Sequence, residues 1–205
     1  MRIAVLASGF GSNLQALIDQ LHAPPEVPIE IGLVLSDRPK AYALERARKA
    51  GIPTAIVRFR DYSDRRAFDA AIAEQIERHG CELIVLAGFM RILGPEFVRR
   101  YAGRVLNIHP SLLPAFPGTH GIRDALEYGV KVTGVTVHFV EEEVDAGPVI
   151  AQVPVFVDPE DTEETLAEKI HAQEHRIYPQ VVLAVAEGRV RVEGRRVFVE
   201  PEEIR

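Results

Sequence analysis

Asn107 and His109 form a pair whose residue types and spacing suggest chemistry. They lie two positions apart at the end of the apolar segment 104–108, so their side chains would share one face of a strand. A histidine can transfer protons near neutral pH, and an asparagine amide can donate to an oxygen that gains negative charge during a reaction. A histidine held by a loop carbonyl would give the same pattern, so the pair alone does not separate catalysis from structure.

Asp145 stands in the segment Asp-Ala-Gly-Pro, shortly after the acidic run Glu141–Glu143. One interpretation is a solvated acidic loop. The other places the carboxylate of Asp145 against His109, where it would favour the charged imidazolium and orient the ring. The spacing in the sequence does not show that contact.

The segment 8–14, Ser-Gly-Phe-Gly-Ser-Asn-Leu, joins a predicted strand to a predicted helix. Glycines allow a tight turn and a close ligand, and the free N–H groups of a helix N-terminus suit a phosphate. An ordinary turn with a helix cap is an alternative. A dinucleotide site is another, since Asp37 ends the next strand where a ribose-binding acid could lie, but the third glycine of that motif is Leu14 here.

His171 and His175 match the H-x-x-E-H pattern of one zinc-peptidase group, and two histidines four residues apart share a helix face. A catalytic zinc also needs a third protein ligand, and only 30 residues follow His175. The apolar stripe through Ile170 and Ile177 already explains the helix. We therefore predict no metal site.

The elements that would position these residues alternate between strand and helix, which predicts a series of βαβ units and a parallel sheet. We expect an α/β fold with a mostly parallel Rossmann-like sheet flanked by helices, and antiparallel strands in the C-terminal half. Because no linker or repeat interrupts the chain, one domain spanning 1–205 is predicted. Strands are predicted at 2–7, 29–36, 54–57, 83–87, 104–108, 132–140 and 149–157, with a terminal hairpin at 190–192 and 197–199; helices are predicted from Asn13, at 41–50, from a cap at Ser63, at 124–128 and at 166–185.

The composition narrows the classes of protein. The chain has 205 residues, 47% hydrophobic and 26% charged, with a net charge of −6, which argues against a general nucleic-acid or membrane surface. It has no run of about 18 apolar residues and no signal-peptide pattern. The single cysteine, Cys81, excludes a disulfide framework and a cysteine-rich metal site. We expect a cytoplasmic protein without a nucleic-acid or membrane partner.

Taken together, these motifs resemble the glycinamide ribonucleotide formyltransferases, folate-dependent enzymes of purine synthesis, nearly end to end from Ile3 to about residue 190. The stretches that carry the resemblance are 8–14, 86–93 (Leu-Ala-Gly-Phe-Met-Arg-Ile-Leu), 107–114, 138–140, 145–150 and 173–179. The trio of Asn107, His109 and Asp145 is shared with other formyl-handling relatives. It therefore points to the chemistry more than to the substrate.

The resemblance implies transfer of a formyl group from 10-formyltetrahydrofolate, as co-substrate, to the amine of 5-phosphoribosylglycinamide, without a metal. The trio would carry the chemistry. The residues implied to hold the ribonucleotide are Gly11, Ser12, Asn13, His171, Ala172, Gln173 and Glu174. Those implied to line the folate site are Arg65, Met90, Arg91, Ile92, Leu93, Asn107, Glu141, Glu142, Glu143, Val144 and Asp145. The resemblance also implies a cis bond between Leu113 and Pro114, and it leaves a homodimer open.

Two other functions remain as alternatives. Formyltetrahydrofolate deformylases are similar, but they typically have a second histidine just before the catalytic one, where this chain has Ile108. A non-catalytic nucleotide-binding protein could use the glycine segment alone. It would have no need for Asn107, His109 and Asp145 together, so measured formyl transfer would distinguish it.

Overall fold

The structure, a computed structural model, describes residues 1–200. The described residues divide into two compact units, residues 1–106 and residues 107–200. The prediction of a single domain over 1–205 stays a prediction.

The first unit is built on parallel strands. The strands are β1 (Arg2–Leu6), β2 (Glu30–Ser36), β3 (Thr54–Ile56) and β4 (Leu83–Leu86). β2 pairs with both β1 and β3, and β1 also pairs with β4, all in parallel. The side chains of β1, β2 and β4 are almost continuously apolar and buried, as expected for parallel strands covered on both faces.

Helices connect these strands. They are α1 (Ser12–Leu17), which continues as a π-helical segment (Ile18–His22), α2 (Tyr42–Lys49), α3 (Arg65–Arg78) and α4 (Pro95–Arg100), with a short 3-10 turn at Phe59–Asp61. The cap of α3 is Asp64, whose side chain accepts from the N–H of Ala67 at 2.8 Å, and not the predicted Ser63. The π-helical segment and α4 were not predicted. The short helix α4 begins at Pro95, whose fixed φ suits the first turn.

The strand β5 (Val105–His109) crosses the boundary between the units, and it ends on the predicted pair Asn107 and His109. The second unit then contains α5 (Gly121–Tyr128), the antiparallel pair β6 (Val132–Phe139) and β7 (Val149–Phe156), the long helix α6 (Glu163–Ala186), and a hairpin of β8 (Val190–Glu193) and β9 (Arg196–Val199). A reciprocal capping box of Thr162 and Thr165 begins α6.

The predicted fold class is confirmed: parallel strands with helices are followed by antiparallel strands in the C-terminal half. The predicted pairing of 132–140 with 149–157 and the terminal hairpin are also confirmed. Among residues 1–200, no helix has the length and apolar character needed to span a bilayer.

Candidate active site

The glycine loop, which we define as residues 8–13, lies between β1 and α1. Gly11 has a φ of 77°, a left-handed conformation that favours glycine, and caps the start of α1. Its carbonyl accepts from the N–H of Gln15 at 2.9 Å, so the first helical hydrogen bond closes on the loop. The backbone therefore turns sharply into a helix whose first N–H groups, at Ser12 and Asn13, lie beyond the helical hydrogen-bond ladder.

The helix α2 fixes this loop from one side. The N–H of Ala43 donates to the carbonyl of Gly9 at 3.1 Å. A Cβ atom on Gly11 would come within 2.8 Å of Ala43 Cα and Cβ, so a side chain has no room there. Arg46 donates from Nε to the carbonyl of Phe10 at 2.9 Å and from Nη1 to Gln15 Oε1 at 3.0 Å. One guanidinium thus joins the loop to α1 and α2.

Asp37, which the dinucleotide interpretation would place on a ribose, has a different role. Its Oδ1 accepts from Ser8 Oγ at 2.6 Å and its Oδ2 accepts from Arg91 Nε at 2.9 Å, while its side chain is fully buried. Ser8 Oγ also accepts from the N–H of Met90 at 2.8 Å. Both carboxylate oxygens are engaged, so the dinucleotide interpretation loses its acidic residue.

The residues predicted to contact folate in this unit are mostly accessible. Met90 and Ile92 are each 55% exposed, whereas Leu93 is buried and contributes to the core. Arg65 donates from Nη1 to the carbonyl of Ile92 at 3.1 Å. Together with the pairing of Arg91 to Asp37, this contact holds the segment 90–93 in a defined conformation.

In the second unit, His109 is buried and both of its ring nitrogens face oxygen atoms. Nδ1 lies 3.6 Å from Asp145 Oδ2, and Nε2 lies 2.8 Å from the carbonyl of Phe116. Since a carbonyl oxygen only accepts, Nε2 carries a proton. The carboxylate of Asp145 therefore lies on the Nδ1 side of the ring and the carbonyl of Phe116 on the Nε2 side.

Asn107 reaches a histidine to which the sequence analysis gave no role. Its Nδ2 lies 3.2 Å from His138 Nε2, and His138 Nε2 lies 3.9 Å from Asp145 Oδ1. The buried cluster therefore comprises Asn107, His109, His138 and Asp145. Burial lowers the pKa of His138 below its ordinary value. The Phe139 carbonyl and Asp145 oppose this with smaller effects, and His109 adds a small lowering.

Two residues that contact His109 have a left-handed backbone without being glycine. Phe116 has a φ of 51° and Asp145 a φ of 56°. Such conformations cost free energy and persist where the surrounding structure holds them. Asp145 Oδ2 also accepts from the N–H of Gly118 at 2.8 Å, which ties the loop that carries Phe116 to the loop that carries Asp145.

The loop after His109 is fixed to the antiparallel strands. Thr136 Oγ1 donates to the carbonyl of Ser111 at 2.7 Å and accepts from the N–H of Leu113 at 3.1 Å. Gln152 Nε2 donates to the carbonyl of Leu113 at 2.9 Å. The bond between Leu113 and Pro114 is cis, as predicted.

The loop that carries Asp145 is exposed along 141–144 and turns back into the protein at Gly147. A Cβ atom on Gly147 would lie 1.9 Å from the carbonyl of Phe139, so only glycine allows this turn. Both interpretations of the acidic stretch therefore apply. Glu141–Glu143 belong to a solvated loop, whereas Asp145 faces His109.

The residues 171–174 lie on α6. His171 and Ala172 are exposed, Gln173 is half-buried and Glu174 is buried. Gln173 Oε1 accepts from Arg176 Nη2 at 2.9 Å, and the rings of His171 and His175 stack with centroids 6.3 Å apart. No group of three or more His, Cys, Asp or Glu residues within 1–200 is arranged to hold a metal ion.

The structure thus brings together the predicted trio and adds His138 to it. The sequence signal for His138 was its place near the end of an alternating strand, but alternation does not show which residue a side chain faces. A shift in the pairing of β6 with β7, between Val137 and His138, also lies at this point. Such irregularities re-aim side chains and cannot be read from periodicity.

Comparison with known proteins finds relatives that match this chain over most of its length. Residues 1–182 match the formyl transferase family. The phosphoribosylglycinamide formyltransferase of Mycobacterium tuberculosis is 50% identical over 194 residues, which cover 95% of this chain and 89% of that protein. The crystal structure of glycinamide ribonucleotide transformylase 1 from Symbiobacterium toebii superposes with a TM-score of 0.94 at 50% identity, covering 97% of this chain and 93% of that one.

Other relatives are much longer. The trifunctional purine biosynthetic protein adenosine-3 of Bos taurus is 49% identical over 191 residues, which are 93% of this chain but 19% of that protein. The chain therefore spans about a fifth of the length of this trifunctional relative. The family match over most of the chain, and the identity to a relative that it covers almost entirely, place this chain in the formyl transferase family.

Proposed function

We propose that this chain transfers the formyl group of 10-formyltetrahydrofolate to the amine of 5-phosphoribosylglycinamide in de novo purine biosynthesis. The observation that carries the proposal is the buried cluster in which His109 lies 3.6 Å from Asp145, with Asn107 in the same network, in a chain of the formyl transferase family. The identity of 50% to a named phosphoribosylglycinamide formyltransferase supports the choice of substrate.

The reaction would proceed by addition and elimination. The neutral amine attacks the formyl carbon and gives a tetrahedral centre with an oxyanion. The Asn107 amide and the His109 imidazolium stabilise that charge. His109 donates a proton to N10 of the folate as the bond between the formyl carbon and N10 breaks, and the proton lost by the attacking amine returns to His109. Asp145 stabilises the imidazolium. Much of the acceleration comes from holding two substrates together, and no step requires a metal.

The binding residues follow from the family resemblance. In this proposal the N–H groups of Gly11, Ser12 and Asn13 bind the ribonucleotide phosphate. The segment 171–174 also binds the ribonucleotide, with Gln173 and Glu174 near its glycinamide end. Arg65, the segment 90–93 and the segment 141–145 line the folate site, with Asn107. A crystal grown with the ribonucleotide tests the first assignment, since its phosphate should lie on the N–H groups of 11–13. A phosphate bound elsewhere would end it.

Purified protein should be incubated with 5-phosphoribosylglycinamide and 10-formyltetrahydrofolate, with both products measured. Stoichiometric formation of formylated amine and tetrahydrofolate is expected. A reaction without the amine is the control, because a deformylase would release formate there at a similar rate. Binding of the ribonucleotide without any turnover would instead favour a non-catalytic binding protein.

We also propose that the protein acts in the cytoplasm on these small molecules, without a nucleic-acid or membrane partner. The net charge of −6 and the interspersed acidic and basic residues support this. Sedimentation analysis at several protein concentrations distinguishes a monomer from the homodimer that the resemblance leaves open.

A further inference from the structure

We propose that His138 is a positioning residue that acts as a neutral hydrogen-bond acceptor and sets the orientation of the Asn107 amide. This inference rests on the proposed function, because its consequence for catalysis concerns the formyl oxygen. The structural part, the tautomer of a buried histidine, can be measured without any substrate.

The tautomer follows from the partners of the ring. His138 Nδ1 lies 2.8 Å from the carbonyl of Phe139, and a carbonyl oxygen only accepts, so Nδ1 carries the proton. His138 Nε2 faces Asn107 Nδ2, which only donates, at 3.2 Å. An unprotonated Nε2 satisfies this contact, whereas a protonated one would place two donors against each other. His138 is 1% exposed, so no water shell relieves such a clash.

An unprotonated His138 Nε2 then fixes the orientation of the Asn107 amide. Its NH2 group faces His138, and that group has two N–H bonds. One donates to His138, and the other remains to donate to a formyl oxygen as that oxygen becomes negative. If the amide were reversed, the carbonyl oxygen of Asn107 would take that place and repel the oxyanion. The neutral ring of His138 prevents the reversal because it has no N–H to offer that carbonyl.

A neutral His138 also leaves the charge of Asp145 to His109. The two carboxylate oxygens of Asp145 face different histidines, Oδ2 at 3.6 Å from His109 and Oδ1 at 3.9 Å from His138. Burial holds the pKa of His138 low, which agrees with a neutral ring whose Nε2 accepts from Asn107. Desolvation of a second imidazolium beside the first would be costly.

Two substitutions of His138 separate the donor function of Nδ1 from the acceptor function of Nε2. His138→Gln places an acceptor oxygen near the position of Nε2, whereas His138→Asn keeps a donor near the position of Nδ1 and loses the acceptor. We expect His138→Asn to lower kcat about 10-fold or more and His138→Gln to stay within about 3-fold of the unmodified protein. The KM for 5-phosphoribosylglycinamide should change less than about 3-fold in both. Equal losses, or a better His138→Asn, would overturn the proposal.

The same two substitutions in an Asn107→Ala background test whether the effect passes through Asn107. We expect their kcat values to become equal there, because the amide that His138 orients is gone. A difference that persists would assign His138 a role independent of Asn107 and so overturn the proposal.

The unmodified protein provides a test that does not depend on folding of the variants. Long-range proton–nitrogen NMR of histidine-labelled protein at pH 7 should show His138 neutral, with the proton on Nδ1. A cationic ring or a proton on Nε2 would overturn the proposal even if formyl transfer is normal. Conversely, absence of formyl transfer with the expected tautomer would contradict the proposed function alone.

Discussion

The glycine loop (residues 8–13) and the histidine cluster (Asn107, His109, His138 and Asp145) differ in the groups with which they would contact a ligand. The loop offers main-chain N–H groups, which keep the same charge at every pH and are placed by backbone geometry. The cluster offers side chains, and its chemistry depends on which nitrogen of each imidazole carries a proton. Substitutions in the loop are therefore expected to change binding of the ribonucleotide, and substitutions in the cluster are expected to change turnover.

Strain is also distributed differently between the two regions. In the loop, the left-handed position is Gly11, where that conformation costs little. In the cluster, Phe116 and Asp145 adopt it without being glycine, and both contact His109. In the cluster, a strained backbone at Phe116 and Asp145 places an oxygen atom of each residue against the imidazole of His109. Such strain is typical of positions where geometry matters more than stability.

The largest effect that tests this comparison is expected from Asp145→Asn. The amide can still accept from the N–H of Gly118, but the charge beside His109 is lost. We expect kcat to fall at least about 100-fold, with little change in ribonucleotide affinity. Steady-state kinetics and calorimetric binding of the ribonucleotide measure the two. Glu160→Gln, which neutralises an exposed carboxylate of the same unit outside the proposed binding residues, is the matched control and should leave both unchanged.

Near-normal turnover in Asp145→Asn would remove that residue from the mechanism. Lost binding together with a lower melting temperature would mean that Asp145 mainly orders its loop.

The glycine loop was predictable because its signal is local: glycines between an apolar strand and a helix start are visible within seven residues. The parallel strands were predictable for the same reason. The roles of Asp37 and His138 were not, because each depends on a partner 29 to 54 residues away in sequence. Local periodicity predicts on which face of a strand a side chain lies, but it does not predict which residue that side chain contacts.

Two local features, the cap of α3 and the π-helical segment, were also not predicted correctly. Ser63 and Asp64 are both good helix caps, and only the backbone conformation decides that Asp64 is used. The residue composition of Ile18–His22 does not indicate a π-helix, because a π-helix arises where one extra residue is inserted into a helical turn. Functional sites are where such local rules are most often overridden.

Gly11→Ala is expected to have the next largest effect, and on binding. A Cβ atom would meet Ala43 at 2.8 Å, and the φ of 77° costs roughly 1–2 kcal/mol for a residue with a side chain. We expect the KM for the ribonucleotide to rise about 10-fold or more, with a smaller change in kcat. Gly9→Ala is the control, because nothing lies within 4 Å of its Cβ position. If kcat fell while KM held, the loop would not be the phosphate site.

The smallest of these effects is expected at Arg46, which contacts the loop through the carbonyl of Phe10. Its guanidinium lies 4.4 Å from the ring centroid of Phe10 and 4.9 Å from that of Tyr42, and it donates to the carbonyl of Phe10. Arg46→Met keeps much of the packing on the rings but removes the donors. We expect the KM for the ribonucleotide to rise about 3- to 10-fold with kcat nearly unchanged, since the loss of the charge-assisted hydrogen bonds to Phe10 and Gln15 loosens the loop.

Arg46→Lys separates geometry from charge. A lysine ammonium keeps the positive charge near the loop but cannot donate to the Phe10 carbonyl and Gln15 together in the planar geometry of a guanidinium. If Arg46 acts by holding the loop, Arg46→Lys should resemble Arg46→Met. If it acts by its charge on the phosphate, Arg46→Lys should bind the ribonucleotide normally. Arg48→Met, on the same helix and paired only with Glu45 at 3.5 Å, removes an equal charge and should leave KM unchanged. A rise in KM in Arg48→Met equal to that in Arg46→Met would show that the net charge of α2, and not the contact to Phe10, determines how the loop binds.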